Sequence, residues 1–188
     1  MGENEATGQP AHSLRYTFRF EDGTSKEFAV QLDAESLSMI VPEKEHYPEW
    51  TRLSFSQCSN CPLKEAAHPR CPIAANLVDL IALFRDSLSY QTVDVEIASE
   101  ARKYVKRTDL QSAVSSLIGL LMVTSGCPVM DKLRPMAWTH LPFATAQETL
   151  YRAIGMYLMA QYFVARDGGS PDWELGGLEK VYEEVRVV

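Results

Sequence analysis

Alternation of apolar and polar residues opens the readable part of the chain. Tyr16, Phe18 and Phe20 fall on one side of a strand and Arg15, Thr17 and Arg19 on the other, the period-two pattern of a half-buried strand. Asp22-Gly23 supplies a turn, and Phe28, Val30 and Leu32 resume the alternation, so the segment predicts a β-hairpin. A second alternation sets Val93, Val95 and Ile97 against Asp94 and Glu96, and Tyr104 and Val105 follow on its hairpin partner. Between the hairpins a short helix is expected around Glu35-Ser-Leu-Ser-Met39, because Pro42 and Pro48 break anything longer. Trp50, Leu53 and Phe55 alternate and predict a short strand.

The period then lengthens. Leu77, Leu80, Ile81, Phe84 and Leu88 recur at helical spacing, predicting a helix over 72–89 with Cys71 as N-cap and Pro72 in the first turn. Leu110, Val114, Leu117, Ile118 and Leu121 form a second stripe behind Thr108-x-x-Gln111, which resembles a capping box, with Gly126 as a left-handed cap at its end. Cys127-Pro128 is expected to open a short helix that Pro135 terminates. Thr145-x-x-Glu148 is another capping box, starting a helix to Arg166 that Gly168-Gly169 ends. Its residues Leu150, Tyr151, Ile154, Tyr157, Leu158, Tyr162 and Phe163 wrap most of the circumference, which predicts a central, largely buried helix. Ser170-Pro171 then starts a last amphipathic helix through Glu184.

The pattern defines an α+β class: a small antiparallel sheet from two hairpins, covered by about five helices, with a helical C-terminal half. Each hairpin is followed by a helix, the order a ββα duplication would leave, although the residues of the two halves do not match. Residues 1–12 are polar and offer nothing to bury, so they read as a disordered tail ahead of a single domain over 13–188.

A net charge of −7 argues against a nucleic-acid partner. Arg102, Lys103, Lys106 and Arg107 lie close to Glu96 and Glu100 and read as a solvated strand face. No stretch approaches the roughly 20 apolar residues of a membrane span, and 1–12 has no apolar signal core. The expectation is a cytoplasmic protein with no membrane partner, where grouped thiols bind metal more often than they pair.

All four cysteines fall in related motifs: Cys58-Ser-Asn-Cys61-Pro62-Leu63, Cys71-Pro72-Ile73 and Cys127-Pro128-Val129. Four thiols suit one four-coordinate metal ion or one iron–sulfur cluster. Cys58 and Cys61 can grip from one turn, Cys71 returns after a loop, and Cys127 arrives from another part of the fold. Zn2+ on Cys58, Cys61, Cys71 and Cys127 is the expected cofactor, tying 51–71 to the helical half. An iron–sulfur cluster is the alternative, since Cys-Pro accompanies cluster ligation and Pro62 stands where a zinc turn ordinarily has Gly. His68 is an alternate ligand from the loop between Cys61 and Cys71, set against its plain role as a surface histidine.

His140, in Trp138-Thr-His-Leu-Pro-Phe143, is flanked by apolar residues and reads first as a hydrogen-bonded core residue. Gathered near Cys127 with Asp131, Arg134, Glu148 and Arg152, it also makes a candidate ligand pocket, a titratable imidazole beside cations for an acidic ligand. The methionines Met122, Met130, Met136, Met156 and Met159 stand among leucines at helical spacing and read as core filler. There is no phosphate-cradling glycine loop, G-x-S-x-G elbow or H-E-x-x-H. The expected function is a metal-stabilised binding or regulatory module with a protein or small-molecule partner. The alternatives are a redox protein with a cluster or reactive thiols, and a small-ligand enzyme using the 127–152 pocket.

Gln57-Cys58-x-x-Cys61-Pro62-Leu63, Cys71-Pro72-x-Ala74-x-Asn76-Leu77, Gly126-Cys127-Pro128-x-Met130 and His140-Leu141-Pro142-Phe143 together resemble an uncharacterised family of bacterial proteins, from about residue 14 to the C-terminus. The resemblance implies a bacterial cytoplasmic origin. It implies no activity, substrate or ligand.

Overall fold

Two antiparallel hairpins lie side by side in one sheet. The structure is a computed structural model, described over residues 10–42 and 44–188. Strands β1 (Pro10–Phe20), β2 (Ser25–Asp33), β3 (Thr92–Ala98) and β4 (Lys103–Asp109) run in the order β2-β1-β3-β4, every neighbour antiparallel. Helices α1 (Pro72–Phe84), α2 (Leu110–Val123), α3 (Ala146–Arg166) and α4 (Gly176–Val185), with a 3-10 helix Met130–Ala137 between α2 and α3, complete the described elements of length. This is the α+β class expected, helical in its C-terminal half.

Register explains the core. Tyr16 stands opposite Phe28 on β2 and Ile97 on β3, and Phe18 stands opposite Val95. Directly paired residues share a face, so Tyr16, Phe18, Val30, Leu32, Val93, Val95 and Ile97 form one apolar sheet surface, all at most 1% exposed. Leu80 of α1 and Ala113, Leu117, Leu120 and Leu121 of α2 are buried against it. The outer face carries ion pairs, Arg15–Glu27 at 3.3 Å, Lys103–Glu96 at 2.9 Å and Arg107–Asp94 at 3.1 Å. The basic run on β4 is therefore a solvated strand face. Asp22 shapes the β1–β2 turn by accepting the Thr24 backbone N–H at 2.9 Å, and Gly23 takes the left-handed conformation (φ 84°) that the turn requires.

Several boundaries differ from the sequence expectations. β1 starts at Pro10, where it pairs with Asp33, so the tail expected over 1–12 gives way to strand at 10–12; its other residues lie outside the described ones. No helix forms at 34–39. Asp33 Oδ1 accepts the N–H groups of Glu35 (3.1 Å) and Ser36 (2.8 Å), winding a turn that Leu37 completes at φ 57°. The expected strand near Trp50 is instead two 3-10 turns, Glu49–Thr51 and Leu53–Phe55, closed by local bonds such as Arg52 N–H to Glu49 O at 3.0 Å. Phe55 consequently points outward.

Helix α1 ends at Phe84, five residues early, so Leu88 lies beyond it and is exposed, and Ile81 within it is exposed as well. The cap of α2 is Asp109, whose Oδ1 accepts the Ser112 N–H at 2.8 Å, one residue beyond the expected Thr108. A carboxylate is the stronger acceptor at that position. Gly126 is left-handed as expected (φ 84°), although the helix closes earlier, at Thr124. Pro135 sits inside the 3-10 helix and does not terminate it. The Thr145/Glu148 capping box forms on both sides. Helix α4 starts at Gly176, after Pro171–Leu175 has run as irregular chain.

The largest departure concerns α3. Among its residues only Ala153 is buried, while Tyr151 is 81% and Met159 64% exposed. Helices α1 and α2 already cover the sheet, and α3 packs on the 3-10 helix at the edge of that layer. Apolar periodicity records which faces are able to be buried; it does not supply a neighbour for each of them.

Candidate metal centre and ligand cavity

The four cysteines are delivered by three different local structures. Cys58 and Cys61 flank a tight turn in which the Cys61 N–H donates to Cys58 O at 3.0 Å. Cys71 is the N-cap of α1, and its thiol makes no capping bond, so it is free to face elsewhere. Its position is fixed by the backbone: Cys71 N–H donates to Thr51 O at 2.8 Å, beside the Arg52–Arg70 bridge. Thr51 itself is fully buried and accepts from Arg70 Nη1 at 3.0 Å. Cys127 lies in the turn after α2 and is buried among Ile73, Val129 and Met130. Its carbonyl accepts the Asp131 N–H at 2.8 Å. The helix expected to start at Cys127 begins three residues later, because Pro128 and Val129 form a turn, so Cys127 is not a helix cap.

All four cysteines line one cavity of about 20 Å3, walled by Leu53, Leu63, Ile73, Val129 and Val188. The Cys58 thiol is pushed up from its ordinary pKa, first by burial and then by the negative charge that Cys71, Cys61 and Cys127 would carry as thiolates. Among the described residues no group of three or more His, Cys, Asp or Glu side chains is gathered tightly enough to hold one metal ion. The thiols stand around the cavity and do not close on a point. His68 is exposed on the loop and is not part of this wall.

A second, larger cavity of about 430 Å3 lies between α2, the 3-10 helix, α3 and α4. It takes His140 and Arg152 from the five residues expected to gather near Cys127. The other three are engaged elsewhere: Arg134 pairs with Asp131 at 3.0 Å and bonds Ser38, while Glu148 closes the α3 capping box. Spacing placed these charges on adjacent elements, yet their helical phases turn them to different sides.

His140 Nε2 lies 2.6 Å from Tyr16 Oη. Burial, and secondarily the Arg152 cation, lower the imidazole pKa to about 4, so the ring is uncharged near neutrality. Arg152 donates from Nη2 to Met136 O at 2.6 Å, while its Nε–H is buried without an acceptor. Burial also holds its guanidinium below the ordinary value.

The sequence reading missed Ser112, Ser115, Ser116, Gly119 and Tyr182, which also line this cavity. The signal was present: Ser112, Ser115, Ser116 and Gly119 recur at helical spacing on the side of α2 away from its leucines. Helix α4 touches both sites. Tyr182 lines the larger cavity, and Glu184 O accepts from Asn60 in the cysteine turn at 2.8 Å.

Fold and sites thus define an α+β protein with a four-cysteine cavity and a separate helical cleft. The chain belongs to the family described as a domain of unknown function, DUF6901, whose sequence model matches residues 14–188. Comparison with curated proteins and with solved structures found no match. Among the described residues no helix is long and apolar enough to cross a membrane.

Proposed function

We propose that the protein is a metal-stabilised binding or regulatory module in which Cys58, Cys61, Cys71 and Cys127 hold one metal centre as thiolates. The observation that carries this is that every cysteine of the chain lines a single small cavity, although the four arrive from three separate stretches of sequence. Burial and the neighbouring sulfurs disfavour the Cys58 thiolate, and a bound cation would remove that penalty. Zinc is the expected occupant: it accepts four thiolates without redox chemistry, and a space of about 20 Å3 suits one ion. Zinc–sulfur bonds of about 2.3 Å would draw the four thiols inward from their present wall positions. The centre then works as a staple joining 51–71 to α1, the turn after α2 and the C-terminal residues.

A second occupant, an iron–sulfur cluster in a redox role, is supported by the apolar wall around the thiols and by the proline that follows Cys61, Cys71 and Cys127. The two are separated by metal analysis and absorption of protein purified anaerobically. One equivalent of zinc in colourless protein supports the module. Brown protein carrying iron and acid-labile sulfide supports the redox reading. Metal-free protein with four freely titrating thiols after growth in metal-replete medium overturns both.

A further inference from the structure

The 430 Å3 cleft falls within the range of small-molecule sites, roughly 300–1,000 Å3. Its walls are mostly apolar, with Leu120, Val123, Leu133, Met136 and Phe143 along them. Into this surface the fold turns one guanidinium. Among the described residues Arg152 has no carboxylate partner; one carbonyl takes its Nη2, and its Nε–H is buried with no acceptor. A half-buried guanidinium with open donors is matched by a planar, two-oxygen anion.

The remaining groups narrow the charge and shape of that anion. The imidazole of His140 is neutral near pH 7 and is occupied by Tyr16, so the cleft offers one positive charge, enough for a monoanion. On the opposite wall, α2 presents Ser112, Ser115 and Gly119. A Cβ built on Gly119 would meet nothing within 4 Å, so that wall stands back from the others and leaves room for a ligand body.

We propose that this cleft binds a small carboxylic acid with an apolar body, its carboxylate on Arg152 and its body along the Ser112–Gly119 side of α2. No cysteine lines this cleft. Phosphate, which carries more charge and no apolar part, is a poor fit to a single cation in an apolar wall.

Isothermal titration calorimetry on the full chain tests this with three probes: octanoate, 1-octanol and inorganic phosphate. Octanoate is expected to bind, 1-octanol to bind about tenfold or more weakly, and phosphate not to bind, the difference being the charge-assisted bonds to Arg152. Arg152→Met should bring octanoate down to the level of 1-octanol. Gly119→Phe should abolish binding of both by filling the cleft. That variant replaces a glycine inside a helix with a better helix former, so it is expected to fold, and circular dichroism checks that it has. It therefore decides the matter even where Arg152→Met destabilises the chain. Octanoate that fails to bind the wild type, that binds no better than 1-octanol, or that still binds Gly119→Phe overturns the proposal.

Discussion

Tyr16 and His140 meet at 2.6 Å between the phenol oxygen and Nε2, joining the middle of the sheet to the loop that leads into α3. Tyr16 is fully buried, and burial raises its pKa far above the ordinary phenol value, so the hydroxyl stays protonated and the pair stays neutral. It is a long-range tie, 124 residues apart in sequence, between the sheet layer and the wall of the larger cavity.

Removing that hydroxyl should be costly relative to its size. Tyr16→Phe keeps the ring in its place beside Phe18 (centroids 6.2 Å apart) but strips His140 of its Nε2 partner. Leaving a buried polar atom unsatisfied costs about 1–3 kcal/mol. Urea unfolding at pH 7 is the check. A loss within that range is expected, whereas unchanged stability would mean that the imidazole has found another partner and the tie is dispensable.

Acid should act through the same ring. The imidazole titrates at about 4 in the fold against 6.5 in the unfolded chain. Between those values the unfolded chain binds the proton and the fold does not, so stability present above pH 6.5 is lost as pH falls toward 4. The full gap between about 4 and 6.5 is worth on the order of 3 kcal/mol. His140 faces the Tyr16 phenol and the Arg152 cation, which adds to the lowering, and it shares a neighbouring pocket with His12, Glu100, Arg102 and Tyr104. Asp22, Asp33, Glu96, Asp109, Glu148 and Asp172 also have lowered values and lose stability in the same direction, mostly at lower pH. Comparing wild type with His140→Gln isolates the histidine. The wild type should lose more stability than the variant between pH 7 and 4.5, and parallel losses would show that His140 does not carry this dependence.

Legibility in the sequence followed the locality of the physics. The hairpins were readable because alternation, Asp22-Gly23 and Val/Ile content all act within a few residues. The Thr145/Glu148 box was readable for the same reason. Asp33 shows where reading stopped: its carboxylate organises the next turn, and nothing in apolar spacing distinguishes that turn from a short helix. Tyr151 and Met159 show a second limit, since their exposure depends on which element covers which face. At the sites, four cysteines in three Cys-Pro motifs were visible as a set, but their approach to one cavity depends on Thr51, Arg70 and the C-terminal Val188. Of the five charged or titratable residues grouped by proximity in sequence, His140 and Arg152 share a cavity and the others are turned to Ser38 and Thr145.

The last prediction concerns how far the proposed metal centre would hold the chain. The base of the 51–71 loop has anchors of its own: Thr51 is fully buried, Leu53 is 2% exposed, and Cys71 N–H and Leu53 N–H bond Thr51 O (2.8 Å) and Pro69 O (3.1 Å). The tip has little else. Between 54 and 68 the described residues are exposed or half-buried, held by local bonds such as Ser54 Oγ to Glu65 at 2.6 Å and Gln57 Nε2 to Leu63 O at 2.8 Å. Structural zinc contributes folding free energy directly, on the order of 10 kcal/mol in small zinc sites; less is expected here, where a separate core exists under α1 and α2. Cys61→Ser should therefore loosen 54–68 while 51–53 and 69–71 keep their protection and the far-ultraviolet helical signal persists. Because Asn60 bonds Glu184 O at 2.8 Å and Val188 lines the cysteine cavity, the C-terminal end of α4 should loosen together with the tip. Hydrogen exchange on the purified variant maps both segments. Unchanged protection across 54–68 would show that the cysteines are not holding the loop, and loss of protection across β1 and β3 would show that the centre supports the whole fold.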